Sequence, residues 1–397
     1  MSFCGYDETR LPILLEEFSN VDLDYIVDRL NSIEIETPSW GYTSGGTRFF
    51  TYEDPLAARS LEEKLADAAT VHRYTGVTPR VALHIPWDSA EDYAPMMELA
   101  ESLSIGIGAI NPNLFQDNDY MLGSITHTNP SIRRKAVGHI LECVEIMKVT
   151  GSRDLSLWLS DGTNYPGVGD FRQRRHYLQS ALREVYDALP DNGRILIEYK
   201  GFEPSFYHTD LADWGMATLT AMELGPSAQT LVDLGHHPLG TNIEQIVAWL
   251  IDLRRLGGFH FNSKKYADDD LTAGSVNPQE LFLIFCEMVK GMEDPDVHLD
   301  PAFMIDQSHF DKPKVEGMIQ SVEQILRAFA RALLVDYAKL TEAQQAGDVV
   351  GAESILKNAA EADVRPLIGE ARRRIGRAPD ALNAYRANQD RELRARD

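Results

Sequence analysis

The sequence predicts an α/β fold, a (β/α)8 TIM barrel with a C-terminal helical extension, and three observations carry that expectation. Eight short apolar runs recur over the first three quarters of the chain, at residues 33–40, 80–85, 104–111, 154–160, 194–200, 229–234, 258–261 and 302–306. Most are continuously apolar rather than alternating, as strands covered on both faces of a parallel sheet are. Between several of them lie stretches with helical spacing, and after Asp311 the strand-like runs stop.

The connecting helices are legible in order. Residues 130–150 place Val137, Ile140, Leu141, Val144 and Met147 on one face, and residues 171–189 do the same with Tyr177, Leu178, Ala181, Leu182, Val185 and Leu189. Residues 242–256 add Ile243, Ile246, Val247 and Leu250. Eight strands with helical crossovers match the count of a (β/α)8 barrel. The rival is an open doubly wound sheet, which calls for a GxGxxG turn after an early strand. Here Gly106-Ile107-Gly108 lacks the third glycine and lies inside a strand-like run, so it reads as small residues within a barrel. No nucleotide cofactor is expected.

Residues 316–340 carry Ile319, Val322, Leu326, Phe329 and Leu333 at helical spacing, and the remainder to Asp397 is rich in Ala, Glu and Arg. The chain is therefore expected to divide into a barrel over 1–311 and a helical extension over 312–397. The extension must bury its apolar stripe against the barrel or a neighbouring subunit. The Arg372, Arg373, Arg374 cluster reads as a solvated or salt-bridged helix face.

Composition narrows the function. With 38 basic against 61 acidic residues among 397, the formal charge is −23, which opposes binding to nucleic acid or anionic membranes. Cys4, Cys143 and Cys286 form neither a disulfide framework nor a thiolate metal site, and fit a reducing cytosol. The opening MSFCGYDETR does not read as a signal peptide, and no apolar run approaches the ~18 residues of a membrane span.

In such a barrel the working groups sit at the C-terminal ends of strands. Runs five to eight end with one ligand-type side chain each: Glu198, Asp233, His260 and Asp306. A single Asp there is usually a helix cap, and a single His is usually a hydrogen-bonded core residue. The coincidence on four consecutive strands is harder to dismiss. Carboxylates brought together repel one another unless a cation lies between them. One imidazole with three carboxylates suits Mn²⁺ best, with Mg²⁺, Co²⁺ and Zn²⁺ possible.

His236, Asp268 and Asp270 form a second candidate group. The two aspartates, two apart, both point inward if their loop is extended, and Glu198 can then bridge two ions. Taken alone, residues 268–270 read as a solvated turn. Lys200 points the same way as Glu198 and can neutralise an oxygen that becomes negative, or else form a salt bridge to Glu198 or Glu203. Trp40, Trp87 and Trp158 offer flat faces to a sugar, or simply cap the barrel core. His84 can bind a hydroxyl or hydrogen-bond to Asp88.

These residues also carry a resemblance. Glu198-Tyr199-Lys200-Gly201-Phe202-Glu203-Pro204 resembles a segment of the bacterial L-rhamnose isomerases of broad aldose specificity. So do Val232-Asp233-Leu234-Gly235-His236-His237, the stretch from Gly258 to Asp270, and Asp306-Gln307-Ser308-His309. Upstream, Glu36-Thr37-Pro38-Ser39-Trp40-Gly41, His84-Ile85-Pro86-Trp87-Asp88 and Leu122-Gly123-Ser124-Ile125-Thr126-His127 match the same family. The matches run in order from about residue 36 to 311. The extension carries no such motif.

The resemblance implies a xylose-isomerase-like barrel, a homotetramer, and interconversion of L-rhamnose and L-rhamnulose with two divalent ions, Mn²⁺ favoured. It makes Glu198, Asp233, His260 and Asp306 ligands of the substrate-holding metal, and His236, Asp268 and Asp270 ligands of the catalytic one. Lys200, His84, Trp87, Trp158 and Ser308 fall at substrate-side positions. Phe49 resembles an aromatic residue that reaches a neighbouring subunit's pocket. The reaction expected is a metal-assisted hydride shift between C1 and C2, with an enediol route using Asp306 or Glu198 as base as the other course. The alternatives are a related metal-dependent barrel enzyme (a ketose 3-epimerase, an inosose dehydratase or a nuclease) and a non-catalytic sugar-binding protein.

Overall fold

The computed structural model describes residues 6–19, 21–44, 52–204 and 207–388. Two helices, α1 (Leu11–Glu17) and α2 (Leu23–Ser32), precede the barrel. The barrel alternates β1 (Ile35–Pro38), α3 (Leu61–Thr75), β2 (Arg80–Ile85), α4 (Ala94–Ser102), β3 (Gly106–Pro112), α5 (Pro130–Thr150), β4 (Asp154–Trp158) and α6 (Phe171–Ala188). It continues through β5 (Arg194–Glu198), α7 (Trp214–Leu224), β6 (Ala228–Asp233), α8 (Ile243–Asp252), β7 (Leu256–Phe261), α9 (Pro278–Glu293) and β8 (Ala302–Ile305). All neighbours pair in parallel, and β1 closes on β8 through Ile35↔Phe303 and Glu36↔Met304. The closed (β/α)8 barrel is the fold the sequence predicts.

Local chemistry sets the element ends. Ser60, Asn129, Asp170, Asp213, Asn242 and Asn277 cap α3, α5, α6, α7, α8 and α9 by accepting from a free backbone N–H of the first turn. The expected helix at 242–256 stops earlier, because Arg254 takes a left-handed φ of +55° and Leu256 already opens β7. Run 33–40 yields only four strand residues, since Ser39–Tyr42 tighten into a 3-10 turn that aims Trp40 at the mouth.

Most of the core lies between the sheet and the helices. Phe259, Phe261 and Phe303 stack with near-parallel rings there, continued by Phe285 of α9. The barrel interior is filled by a smaller set: Trp40, Ala82, Ala109, Leu196, Leu231 and Met304. Deeper still sits a carboxylate. Glu36 points inward and accepts from Ala109 N–H at 2.9 Å. The space it occupies exists because residue 108 is glycine, as a Cβ there would lie 1.7 Å from Glu36 Oε2. The small residues of run 104–111 thus make room for a buried acid.

Five more helices follow: α10 (Lys314–Leu333), α11 (Tyr337–Ala346), α12 (Val349–Glu361), α13 (Arg365–Arg374) and α14 (Ala381–Ala387). The expected helix at 316–340 is two, because Asp336 caps a new start. α10 packs on α9, α3 and α2 and buries Ile319, Val322, Leu326, Phe329 and Leu333. Each such side chain contributes about 1.5–3 kcal/mol. Among the described residues no helix is long and apolar enough to cross a membrane.

Candidate metal centre at the barrel mouth

Strand register delivers the ligand-type side chains to one rim. Asp233 pairs with His260 across β6 and β7; Glu198, ending β5, is level with Leu231 two residues before Asp233, and Asp306, just past β8, stands two residues beyond Met304, the partner of His260. The candidate ligand atoms of Glu198, Asp233, His260 and Asp306 all lie within 4.8 Å of one another. His260 Nδ1 is 3.1 Å from Glu198 Oε1, 3.6 Å from Asp233 Oδ2 and 3.8 Å from Asp306 Oδ2.

A second group joins Asp233, His236 and Asp268. His236 Nδ1 donates to the carbonyl of Tyr199 at 2.9 Å, which turns Nε2 toward Asp268 Oδ2 at 3.4 Å and Asp233 Oδ2 at 3.7 Å. A carbonyl only accepts, so Nε2 is left as the ligand nitrogen, the tautomer a metal site uses.

This group differs from the sequence expectation. Asp233 is the residue common to both groups, although His236 Nδ1 also comes within 3.3 Å of Glu198 Oε1. Asp270 is in neither group. The reason is the loop, which is turned rather than extended. Ser263 and Leu271 bond each other's backbone, and Asp269 gathers the N–H groups of Lys265, Tyr266 and Ala267. Asp270 then takes a φ of +47°, so the two-residue alternation with Asp268 is lost.

The electrostatics show an acid cluster short of positive charge. Burial, with Asp268 and Glu198 nearby, outweighs the two histidines and pushes Asp233 up to about 7. Burial opposes charge on His260 too, but Glu198, Asp306 and Asp233 raise it to about 10. Burial likewise works against charge on His236, and Asp233 and Asp268 raise it. Burial raises Glu198, while His260, His236 and Lys200 bring it below its ordinary value. Hard oxygens and imidazole nitrogens in this mix fit a divalent cation such as Mn²⁺, Mg²⁺, Co²⁺ or Zn²⁺. Such an ion supplies the countercharge the side chains otherwise borrow as protons.

Lys200 Nζ donates to Glu203 at 2.8 Å and to Asp268 at 2.5 Å, and it lies 4.8 Å above the Trp158 ring. Trp40 Nε1 donates to Asp306 Oδ1 at 2.8 Å. Facing the acids is an aromatic wall. His84 stacks on Trp87 at 3.9 Å and meets Trp40 edge-on at 5.5 Å, while Phe115 meets Trp158 at 4.7 Å. Burial holds His84 down at about 3, so the ring is neutral. Asp88 does not take the His84 ring; it accepts from the His84 backbone N–H, from Ser39 and from Lys64.

A small cavity of about 40 Å³ lies between the acids and this wall. Trp40, His84, Trp158, Glu198, Lys200, His236, His260 and Asp306 line it. Ser308, half-buried beyond β8, is not among the lining residues, and Phe49 lies outside the described residues.

Several contributors escape the strand-end reading. Asn111, Phe115 and Ser156 also line the cavity. His84 Nδ1, Ser156 Oγ and Trp158 Nε1 are buried with no hydrogen-bond partner among the described residues, polar atoms suited to a hydroxylated ligand. Asn262 Nδ2 donates to Asp233 at 2.9 Å and 3.2 Å and fixes the shared carboxylate. It stands two residues after His260, so strand alternation places it on the same side. Phe115 sits in a loop and gives no such signal.

No protein-family model matches the sequence. A probable sugar isomerase of Rhizobium meliloti is 43% identical over 374 residues, 93% of this chain and 87% of that protein. A probable sugar isomerase of Mesorhizobium japonicum is 41% identical over 372 residues, 92% of this chain and 86% of that protein. Among solved structures, an L-ribulose 3-epimerase superposes with a TM-score of 0.53 at 12% identity, over 80% of this chain and 98% of that one, a likeness of fold.

Proposed function

Because the chain belongs to the family of these probable sugar isomerases, we propose that it interconverts an aldose and its ketose, L-rhamnose and L-rhamnulose being the pair, with two divalent cations per subunit. The observation that carries this reading is the pair of carboxylate–imidazole groups sharing Asp233, set beside Lys200 and an aromatic wall in one cavity. The choice of L-rhamnose, of Mn²⁺ and of a homotetramer rests on the motif resemblance over residues 36–311.

Glu198, Asp233, His260 and Asp306 would hold one cation, and Asp233, His236 and Asp268 the other. When bound, the cations supply Lewis acidity that lowers the pKa of a sugar hydroxyl and polarises the carbonyl. The chain does the rest. The faces of Trp40 and Trp158 hold the C–H side of an open-chain sugar and exclude water, and Trp87, outside the cavity lining, stacks on His84 and supports its ring. His84, neutral at working pH, offers one ring nitrogen to a hydroxyl. Lys200 is held by Glu203 and Asp268, so its ammonium is preorganised to stabilise a developing oxyanion. In the hydride course the C2 hydrogen passes with its electron pair to C1 while the O2 hydroxyl gives up its proton and O1 gains one, so no side-chain base acts at carbon. In the enediol course Asp306 or Glu198 would take the C2 proton and return it to C1, with the proton of O2 lost and one gained at O1.

The test is incubation with L-rhamnose and Mn²⁺ and detection of ketose, with a panel of other aldoses and ketoses at equal concentration. Formation of L-rhamnulose supports the proposal. Turnover confined to 3-epimerisation of ketoses replaces it with the epimerase reading. Turnover that survives exhaustive chelation refutes the metal roles.

A further inference from the structure

The extension contains a pocket that the proposed reaction does not use. It lies between α10, α13 and α14, encloses about 180 Å³, and is lined by Glu323, Gln324, Arg327, Arg365, Arg372 and Asp380 among others. Three guanidinium groups therefore face two carboxylates, in a chain whose net charge is −23. This imbalance is local and runs against the rest of the molecule.

The carboxylates nearby are already engaged. Glu323 pairs with Arg372 Nη1 at 2.5 Å. Asp380 turns both oxygens to Asn383, accepting from its backbone N–H at 2.9 Å and from its side chain at 2.8 Å. Asp363, just outside the pocket, takes Arg365 at 2.7 Å and Arg10 at 2.6 Å. What remains is donor capacity. Arg372 is 2% exposed, yet its Nη2 has no hydrogen-bond partner among the described residues. Arg327 Nε is buried and also unpartnered, and the described residues give Arg327 no ion pair. Its charge is felt by Arg331, which burial first and Arg327 second hold below the usual range.

Leaving guanidinium N–H groups buried and unbonded is costly, because a charged donor loses its water without gaining an acceptor. An oxyanion removes that cost at both arginines, and the fork of a guanidinium matches its oxygens. From the convergence of Arg327 and Arg372 on one pocket, we propose that α10 and α13 form a binding site for a phosphate group, free or carried by a small phosphomonoester. Arg372 also reaches the Thr75 carbonyl at the end of α3, which leads into β2 from the base of the barrel, so the pocket is separate from the mouth.

Arg327→Gln tests the site, because that side chain holds no other residue in place and the variant should fold normally. At constant ionic strength, inorganic phosphate should raise the melting temperature of the full chain saturably, and calorimetry should give a Kd at least tenfold weaker in R327Q. The unliganded melting temperature of R327Q should not fall below that of the parent. Glycerol phosphate separates the sources: equal affinity points to the phosphate group alone, and tighter binding points to a phosphomonoester. Absence of saturable phosphate binding, or equal binding in R327Q, overturns the proposal. Sugar turnover does not enter the readout, so failure here leaves the isomerase reading untouched.

Discussion

The indole Nε1 of Trp40 donates to Oδ1 of Asp306 at 2.8 Å, tying the end of β1 to the end of β8 across the seam that closes the barrel. The bond leaves Asp306 Oδ2 facing His260 Nδ1 at 3.8 Å. Trp40 therefore both walls the cavity and aims a candidate ligand. Trp40→Phe keeps an aromatic face and removes the donor. Cation affinity of the Asp306 group should fall about 10–100-fold, as when other outer partners of metal ligands are lost. Metal titration followed by calorimetry checks this, and unchanged affinity would show that the bond does not orient Asp306.

Gly108 and Glu36 form a second dependent pair. A methyl group at residue 108 meets the Glu36 carboxylate. Gly108→Ala should destabilise the fold by about 1–3 kcal/mol, the usual cost of overpacking. Adding Glu36→Ala should recover most of that loss relative to Glu36→Ala alone. Denaturant melts of the four-member cycle measure the coupling, and simple additivity would contradict the steric account.

Buried neutral histidines give acid sensitivity. His309 is pushed down to about 4 by burial first and by Lys312 next, against an ordinary 6.5. Below pH 6.5 the unfolded chain takes up a proton at this residue that the folded chain refuses. The stability it contributes is complete above pH 6.5 and is lost as pH falls toward 4, at about 1.4 kcal/mol per unit at most. His309→Gln should flatten the stability curve over that window. Urea unfolding at about pH 7, 5.5 and 4.5 checks it, and parallel curves for variant and parent would refute the assignment.

Much of this architecture is legible in the order of residues along the chain. Continuous apolar runs announce buried parallel strands, and the polar residue ending each run is carried to the rim by the barrel itself. That logic brings Glu198, Asp233, His260 and Asp306 together without knowledge of loops. It fails where loops decide. Asp268 and Asp270 look equivalent by spacing, yet the carboxylate of Asp269 turns the backbone and separates them. Phe115 reaches the cavity from a connection that carries no periodic signal. The Arg372–Arg374 cluster reads as a solvated or salt-bridged helix face, and the structure pairs Arg373 and Arg374 with Glu370 accordingly, but it buries Arg372.

The most direct test of the centre is the number of manganese ions bound per chain, measured by equilibrium dialysis with elemental analysis in the parent and in Asp233→Asn, Asp306→Asn and Asp268→Asn. Because Asp233 stands in both groups, the account predicts two ions in the parent, one in each of the latter variants, and none held tightly in Asp233→Asn. Two ions retained by Asp233→Asn, or none bound by the parent, would contradict it.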